Sequence, residues 1–113
     1  MEIEVTYCGD VTLVVLRGRV VDGKAAEQLH RELRTLIAEK KADTIFDLSG
    51  VEWFDSVAIG LLVCHYISAT QMGGKIALLQ SNDKIKKLMK MVKLDDRFEW
   101  AEDMDQALAA VRK

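Results

Sequence analysis

The side chains with the clearest chemical potential are the adjacent pair Asp55-Ser56. The preceding residues from Phe46 predict a strand and a short turn, and the apolar run from Val57 predicts a helix. The pair therefore lies at a helix N-terminus, where unpaired backbone amides and the helix dipole favour an anion such as phosphate. If the chain carries a regulatory switch, the sequence predicts that it is the hydroxyl group of Ser56.

The same two residues also suit a purely structural role. Aspartate and serine are both common helix N-caps, and such a cap contributes ~1 kcal/mol to the helix. If Asp55 is the cap, Ser56 is left facing outward. The residues alone leave both the cap and the phosphoacceptor open.

Other pairs of reactive residue types do not form a recognisable catalytic set. We expect Asp47 to end a strand and Asp55 to cap a helix, rather than to act as an acid and base. Cys64 and His65 are adjacent on a helix and point about 100° apart, so we expect Cys64 to be a small core residue. His30 and His65 have no cluster of metal ligands around them. We expect no enzymatic activity, no metal and no cofactor.

Composition places the chain among ordinary globular proteins. Its 113 residues fit one domain, 1–113, and half of them are hydrophobic, which is enough for a core. The net charge of -2 does not favour nucleic acid, and the lysines from Lys84 to Lys93 suit the solvated face of an amphipathic helix. The apolar run from Val57 to Ala69 is too short to span a bilayer. Cys8 and Cys64 are far apart, which favours a reducing cytoplasm over a disulfide framework.

Hydrophobic patterning predicts the element order β-β-α-β-α-β-α-β-α. The predicted strands are 3–7, 11–16, 44–48, 75–80 and 98–100, and the predicted helices begin near Asp22, Ser56, Asn82 and Asp103. Gly9-Asp10 predicts a tight hairpin between the first two strands. Alternation of strands and helices implies right-handed crossovers. The fold class is therefore α/β, with a mixed, mainly parallel sheet, an antiparallel N-terminal hairpin and helices packed on it.

Several separated segments together resemble the STAS domain family. Around the predicted switch, Asp47-Leu48-Ser49-Gly50-Val51 and Phe54-Asp55-Ser56 are similar to the strand and turn before the family's phosphorylated helix. The remaining segments resemble other family elements in the same order: Gly18-Arg19-Val20-Val21-Asp22, Gly73-Gly74-Lys75-Ile76-Ala77-Leu78, Ser81-Asn82-Asp83-Lys84-Ile85-Lys86-Lys87-Leu88-Met89, Phe98-Glu99-Trp100 and Asp105-Gln106-Ala107-Leu108.

The resemblance implies a bacterial, cytoplasmic anti-sigma factor antagonist that regulates transcription by partner switching. It implies that Ser56 is the phosphorylation site, and that the partner surface contains Asp22, Asp55, Ser56, Val57 and Gly60. The implied partner is an anti-sigma factor that is also a serine kinase, bound when Ser56 is unphosphorylated and released when it is phosphorylated. No nucleic-acid binding and no membrane insertion are implied, and we expect a monomer or a weak homodimer.

Two residues depart from the family pattern. A small hydroxyl residue or alanine usually follows the phosphoserine, and glycine usually comes next, whereas this chain has Val57 and Ala58. A methyl group and a β-branched side chain at these positions could obstruct a kinase. They favour an alternative, a phosphorylation-independent STAS scaffold or subunit, such as the partner of a lipid-transport ATPase or part of a stressosome-like assembly.

Overall fold

The computed structural model describes residues 2–20 and 23–112, and the elements in these residues follow the predicted order. The strands are β1 (Glu2–Cys8), β2 (Val11–Val20), β3 (Asp43–Phe54), β4 (Ile76–Leu79) and β5 (Glu99–Ala101). The helices are α1 (Gly23–Ala38), α2 (Ser56–Gln71), α3 (Asp83–Met91) and α4 (Met104–Val111).

The strands form one five-stranded sheet in the order β1-β2-β3-β4-β5. β1 and β2 pair antiparallel through the predicted hairpin, in which Cys8 is opposite Val11 and Gly9 adopts a positive φ of 64°. The pairs β2-β3, β3-β4 and β4-β5 are all parallel. The predicted α/β class with a mixed, mainly parallel sheet is confirmed.

The two faces of the sheet carry separate hydrophobic clusters. Phe46 and Leu78 pack with buried residues of α1, α2 and α3, whereas their neighbours Ile45 and Ala77 pack with α4. Strands that are neighbours both in sequence and in space, joined by right-handed crossovers, put their helices on the same face. This arrangement brings α1, α2 and α3 side by side, with α2 in contact with α1.

Two strands run further than their patterns predict. The predicted ends at Leu16 and Leu48 are wrong, since β2 continues to Val20 and β3 to Phe54. The longer pairing leaves only Asp55 between the end of β3 and the first residue of α2. The segment before the helix is therefore an extended part of the sheet, and the start of α2 is held firmly relative to β2 and β3.

Bulges allow β2 and β3 to remain paired beyond Ser49-Gly50, which has the composition of a turn. The register between β2 and β3 shifts twice, and each shift places one extra residue of β3 opposite β2. Gly50 lies so close to β2 that a Cβ at this position would be only 3.1 Å from Cγ of Arg17. The absence of a side chain therefore allows the close approach. On the facing strand, Gly18 has a φ of 93°, which favours glycine. Glycines that predicted the end of a strand instead mark bulges within it.

Candidate functional site

The start of α2 is capped by Asp55. Its backbone is extended (φ -89°, ψ -179°), and its Oδ1 accepts a hydrogen bond from the amide of Ala58 at 2.9 Å. The Asp55 carbonyl oxygen also accepts from the amide of Ile59 at 3.1 Å. Asp55 therefore fills the capping role left open by the sequence, and Ser56 is the first helical residue beyond the cap.

Ser56 lies in an exposed patch at this helix end. Ser56, Val57 and Gly60 are exposed, and Val57 keeps 55% of its surface accessible. A Cβ built on Gly60 would have no atom within 4 Å, so the space outside this residue is open. The structure thus brings together Asp55, Ser56, Val57 and Gly60, four of the five residues predicted to form the partner surface.

The two departures from the family pattern differ in their surroundings. Ala58 is fully buried and belongs to the core between the sheet and α2, so its methyl group does not lie on the accessible surface. Val57 is exposed directly beside Ser56. An incoming protein at Ser56 would therefore meet the valine side chain and not the alanine.

α2 contributes no carboxylate, ammonium or guanidinium group to the patch. From Ser56 to Gly74 the chain contains no Asp, Glu, Lys or Arg. Within α2 and its cap, the charge of a phosphate on Ser56 would therefore interact with the positive helix terminus and with the Asp55 carboxylate. The helix terminus favours that charge, and the carboxylate opposes it.

The fifth predicted partner residue, Asp22, lies outside the described residues, as does its predicted role as the cap of α1.

Asn82 forms a connection to β3 that the sequence did not reveal. The side-chain amide of Asn82 donates to the carbonyl oxygen of Val51 at 2.9 Å, while its Oδ1 caps α3 through the amide of Ile85. This residue ties the start of α3 to β3, four residues before the Asp55 cap.

The carboxylate pair has local structural functions. Oδ1 of Asp47 accepts from the amide of Ser49 at 3.0 Å and from its hydroxyl group at 2.7 Å. Asp55 caps α2 as described above. The expected cap at Asp55 is confirmed, whereas the expectation that Asp47 ends a strand is wrong, because Asp47 lies within β3 and bonds to Ser49 of the same strand.

The prediction that Cys64 is a core residue is wrong, because its side chain is exposed. Its neighbour His65 is 97% buried, since only 3% of its surface is accessible. The Nε2 atom of His65 lies 3.2 Å from Oγ1 of Thr44, and the ring packs edge-on against Phe46 at 5.6 Å. Burial lowers the pKa of His65 to about 4, so the ring is neutral at pH 7.

The lysine-rich helix α3 packs as its pattern predicts. Ile85 and Met89 are buried, whereas Lys84, Lys87 and Lys90 are exposed.

Within residues 2–20 and 23–112, no three His, Cys, Asp or Glu side chains lie close enough to hold a metal ion. In the same part of the chain, no helix has the length and apolar character needed to cross a bilayer.

The model of the STAS domain family matches residues 2–107, so the chain belongs to this family. Solved structures with the same fold include an anti-sigma factor antagonist from Mycobacterium paratuberculosis, with 24% identity, a TM-score of 0.86, and coverage of 99% of this chain and 94% of that one. An anti-sigma factor antagonist (STAS) domain protein from Planctomyces limnophilus matches with 23% identity, a TM-score of 0.84 and 98% coverage of both chains.

A third similar structure is the Bacillus cell fate determinant SpoIIAA in its phosphorylated form. It shares 17% identity with this chain, has a TM-score of 0.78, and the match covers 96% of this chain and 97% of that one. At these identities the similarity establishes the fold. The function must be argued from the site itself.

Proposed function

We propose that this chain is an anti-sigma factor antagonist that acts by partner switching. The unphosphorylated form binds an anti-sigma factor that is also a serine kinase, and phosphorylation of Ser56 releases it. The proposal includes a cytoplasmic location, a single STAS domain over 1–113, and a binding role in transcription regulation with no catalysis by the chain itself.

One observation carries the proposal: Asp55 caps α2, and this leaves the exposed Ser56 outside the capping interaction. A serine that served as the cap would have its capping oxygen modified on phosphorylation, so the contact that holds the helix start would change. Here the aspartate holds the helix in both states. The Ser56 hydroxyl can therefore be modified without loss of the structure that presents it.

The effect of a phosphate would be local and electrostatic. It would add about -1.5 to -2 charges to a patch whose other exposed residues, Val57 and Gly60, are uncharged. A partner that covers this patch would have to desolvate the dianion, which costs several kcal/mol if nothing pairs with it. Charge at one hydroxyl group is thus sufficient to separate a complex of moderate affinity.

The proposed partner surface contains Asp22, Asp55, Ser56, Val57 and Gly60. Four of these residues share the start of α2, and Asp22 is included because of the family resemblance. Gly60 is open on its outer side, so the backbone of a partner can approach the helix closely there.

A specific observation favours the alternative, a phosphorylation-independent scaffold or transporter subunit. Val57 places an exposed β-branched side chain next to Ser56, where the family usually has a smaller residue. In that case the same patch binds a partner permanently, and Val57 is an apolar contact instead of an obstacle to a kinase.

Phosphopeptide mass spectrometry of the protein purified from its native host separates the two functions. We expect phosphate on Ser56 and none on Ser68, which lies on the same helix and is half-buried. The matched variants Ser56→Ala and Ser68→Ala should respectively abolish and preserve modification by the cognate kinase. If phosphate is found on another residue, or is absent under every growth condition, partner switching at Ser56 is wrong and the scaffold function takes its place.

A further inference from the structure

A narrow groove runs along the surface between α1 and α2, away from the phosphoacceptor patch. Its volume is about 280 Å³, and apolar side chains of both helices form most of its wall. The lining residues are His30, Leu33, Arg34, Ile37, Ala38, Leu61, Cys64, His65 and Ser68. A concave, mainly apolar site with a few polar groups is the usual form of a small-molecule site, although this one is small.

The groove is elongated, because its lining residues recur one turn apart on each helix. On α2 they extend from Leu61 to Ser68, and on α1 from His30 to Ala38. Spans of eight and nine residues contain seven and eight rises of 1.5 Å, which correspond to roughly 11 Å of groove. A linear chain fits such a space better than a fused-ring or branched molecule does.

Two exposed basic side chains of α1 lie in the lining of the groove. Arg34 and His30 are exposed on α1, one turn apart, and α2 contributes no charged side chain to the opposite wall. Arg34 forms no ion pair with any of the described residues. A guanidinium group at the edge of an apolar groove is complementary to a carboxylate attached to a hydrocarbon chain.

The buried His65 forms part of the groove wall. Its Nε2 atom faces Thr44, but Nδ1 has no hydrogen-bond partner among the described residues, although the side chain is 97% buried. A buried, unsatisfied nitrogen in the wall of a cavity is unusual, since nearly all such atoms find a partner. Nδ1 itself has almost no accessible surface, so the ring closes this part of the groove wall and is not open to an occupant through that atom.

We propose that the groove between α1 and α2 binds a medium-chain fatty carboxylate, with the hydrocarbon chain along Leu33, Ile37 and Leu61 and the carboxylate at Arg34. This site is independent of the proposed function, because it lies along the flank of α2 and not at its start. The ligand would nevertheless contact the helix that begins at Ser56.

Cys64 gives the proposal a local readout, because its exposed thiol lines the groove. In a Cys8→Ser variant, Cys64 is the only remaining cysteine. Decanoate, used below its micelle concentration, should slow alkylation of Cys64 by iodoacetamide. In the matched Cys64→Ser variant, the same decanoate should leave alkylation of Cys8 unchanged, because Cys8 lies on the edge strand β1.

Substitutions in the Cys8→Ser background test the two halves of the ligand. Arg34→Ala should weaken decanoate protection about three- to tenfold, the range expected for one partly exposed charged hydrogen bond. Arg31→Ala, on the same helix but outside the groove, should change nothing. Ser68→Trp should fill the groove and remove protection, and Gln28→Trp serves as its control. Circular dichroism should show that each variant is folded, and Ala38→Phe replaces Ser68→Trp if that variant unfolds.

Three results would overturn the proposal. The first is the absence of protection by decanoate at millimolar concentration. The second is equal protection by decanol, or an unchanged effect in Arg34→Ala, because the carboxylate would then have no role. The third is a dimer, detected by sedimentation, that dissociates in Ser68→Trp, because the groove would then be an interface between two copies of the chain.

Discussion

The carboxylate of Asp55 accepts a hydrogen bond from the amide of Ala58 at 2.9 Å, and this contact gives Asp55 and Ser56 different roles at the start of α2. Asp55 holds the helix terminus, and Ser56 is left exposed for modification. These different roles predict that Asp55 contributes to the stability of the domain and that Ser56 contributes little.

Replacement of the cap should destabilise the domain, whereas replacement of the neighbouring serine should not. We expect Asp55→Ala to lower the free energy of unfolding by about 1 kcal/mol, because an amide of the first turn loses its partner. Ser56→Ala should stay within about 0.5 kcal/mol of wild type. Urea denaturation measures both, and Asp55→Asn is the control that keeps a capping oxygen. A larger loss in Ser56→Ala than in Asp55→Ala would reverse the assignment of the cap.

Two glycines should respond to alanine in opposite directions. Gly60 lies within α2 with open space outside it, so Gly60→Ala should stabilise the domain by about 0.5–1 kcal/mol through helix propensity. At Gly74 a Cβ would lie 2.4 Å from both Cβ and the carbonyl oxygen of Ala42, so backbone must move to admit it. We therefore expect Gly74→Ala to destabilise the domain by more than about 1 kcal/mol.

Thermal or urea unfolding of the two alanine variants can be compared directly, since each adds one methyl group to a glycine near α2. Equal effects of the two substitutions would contradict the packing at Gly74. A stable Gly60→Ala protein also tests the proposed function, because the added methyl group lies on the partner surface. It should weaken partner binding without weakening the fold.

Acidification should destabilise the protein through His65. The pKa of His65 is lowered to about 4 by burial, below its ordinary value of 6.5, so between these values the unfolded chain binds a proton that the folded chain excludes. Stability is therefore unaffected by this group above pH 6.5 and falls as the pH drops from 6.5 towards 4. From pH 7.5 to pH 5 the loss is about 2 kcal/mol.

Urea unfolding at several pH values measures this slope. His65→Gln removes the titrating ring, so its free energy of unfolding should fall less steeply with acid than that of the wild type. The exposed His30 is the matched control, because His30→Gln also removes one histidine but leaves His65 and its contribution to the slope in place. Parallel curves for the wild type and His65→Gln would mean that His65 is protonated as easily in the folded protein as in the unfolded chain.

The element order and the start of α2 could be predicted because local chemistry determines them. Alternating and continuous apolar runs distinguish strands by period, and an Asp-Ser pair before an uncharged run indicates a helix N-terminus. The length of β3 could not be predicted in the same way. Ser49-Gly50 has the composition of a turn, and only the neighbouring strand, with its glycine-tolerant bulges, keeps the pairing continuous.

The exposure of Cys64 was mispredicted for a related physical reason. α2 has no charged side chain, so its sequence does not distinguish the face against the sheet from the face towards solvent. The packing of the sheet selects Leu62 and His65 as buried residues and leaves Cys64 outside. The bond from Asn82 to Val51 likewise joins residues 31 positions apart, and no local pattern records it.

The partner-switching proposal predicts a large affinity difference that depends on one hydroxyl group. Ser56→Ala should keep the fold, resist phosphorylation and bind the anti-sigma partner constitutively, because the uncharged patch is preserved. Phosphorylated wild type should bind at least about 100-fold more weakly, since an unpaired desolvated dianion costs roughly 3 kcal/mol or more. Ser56→Asp should fall between them, because aspartate carries less charge than phosphate.

A calorimetric titration of the four proteins against the cognate kinase measures these affinities, with circular dichroism as the check on folding. Asp55 should keep α2 capped in every one of them, so the helix content should not change with modification. An equal affinity for phosphorylated and unmodified protein would contradict switching at Ser56. A weakened affinity accompanied by loss of helix would instead mean that phosphate acts by unfolding the start of α2, and the exposed patch would then not be the origin of release.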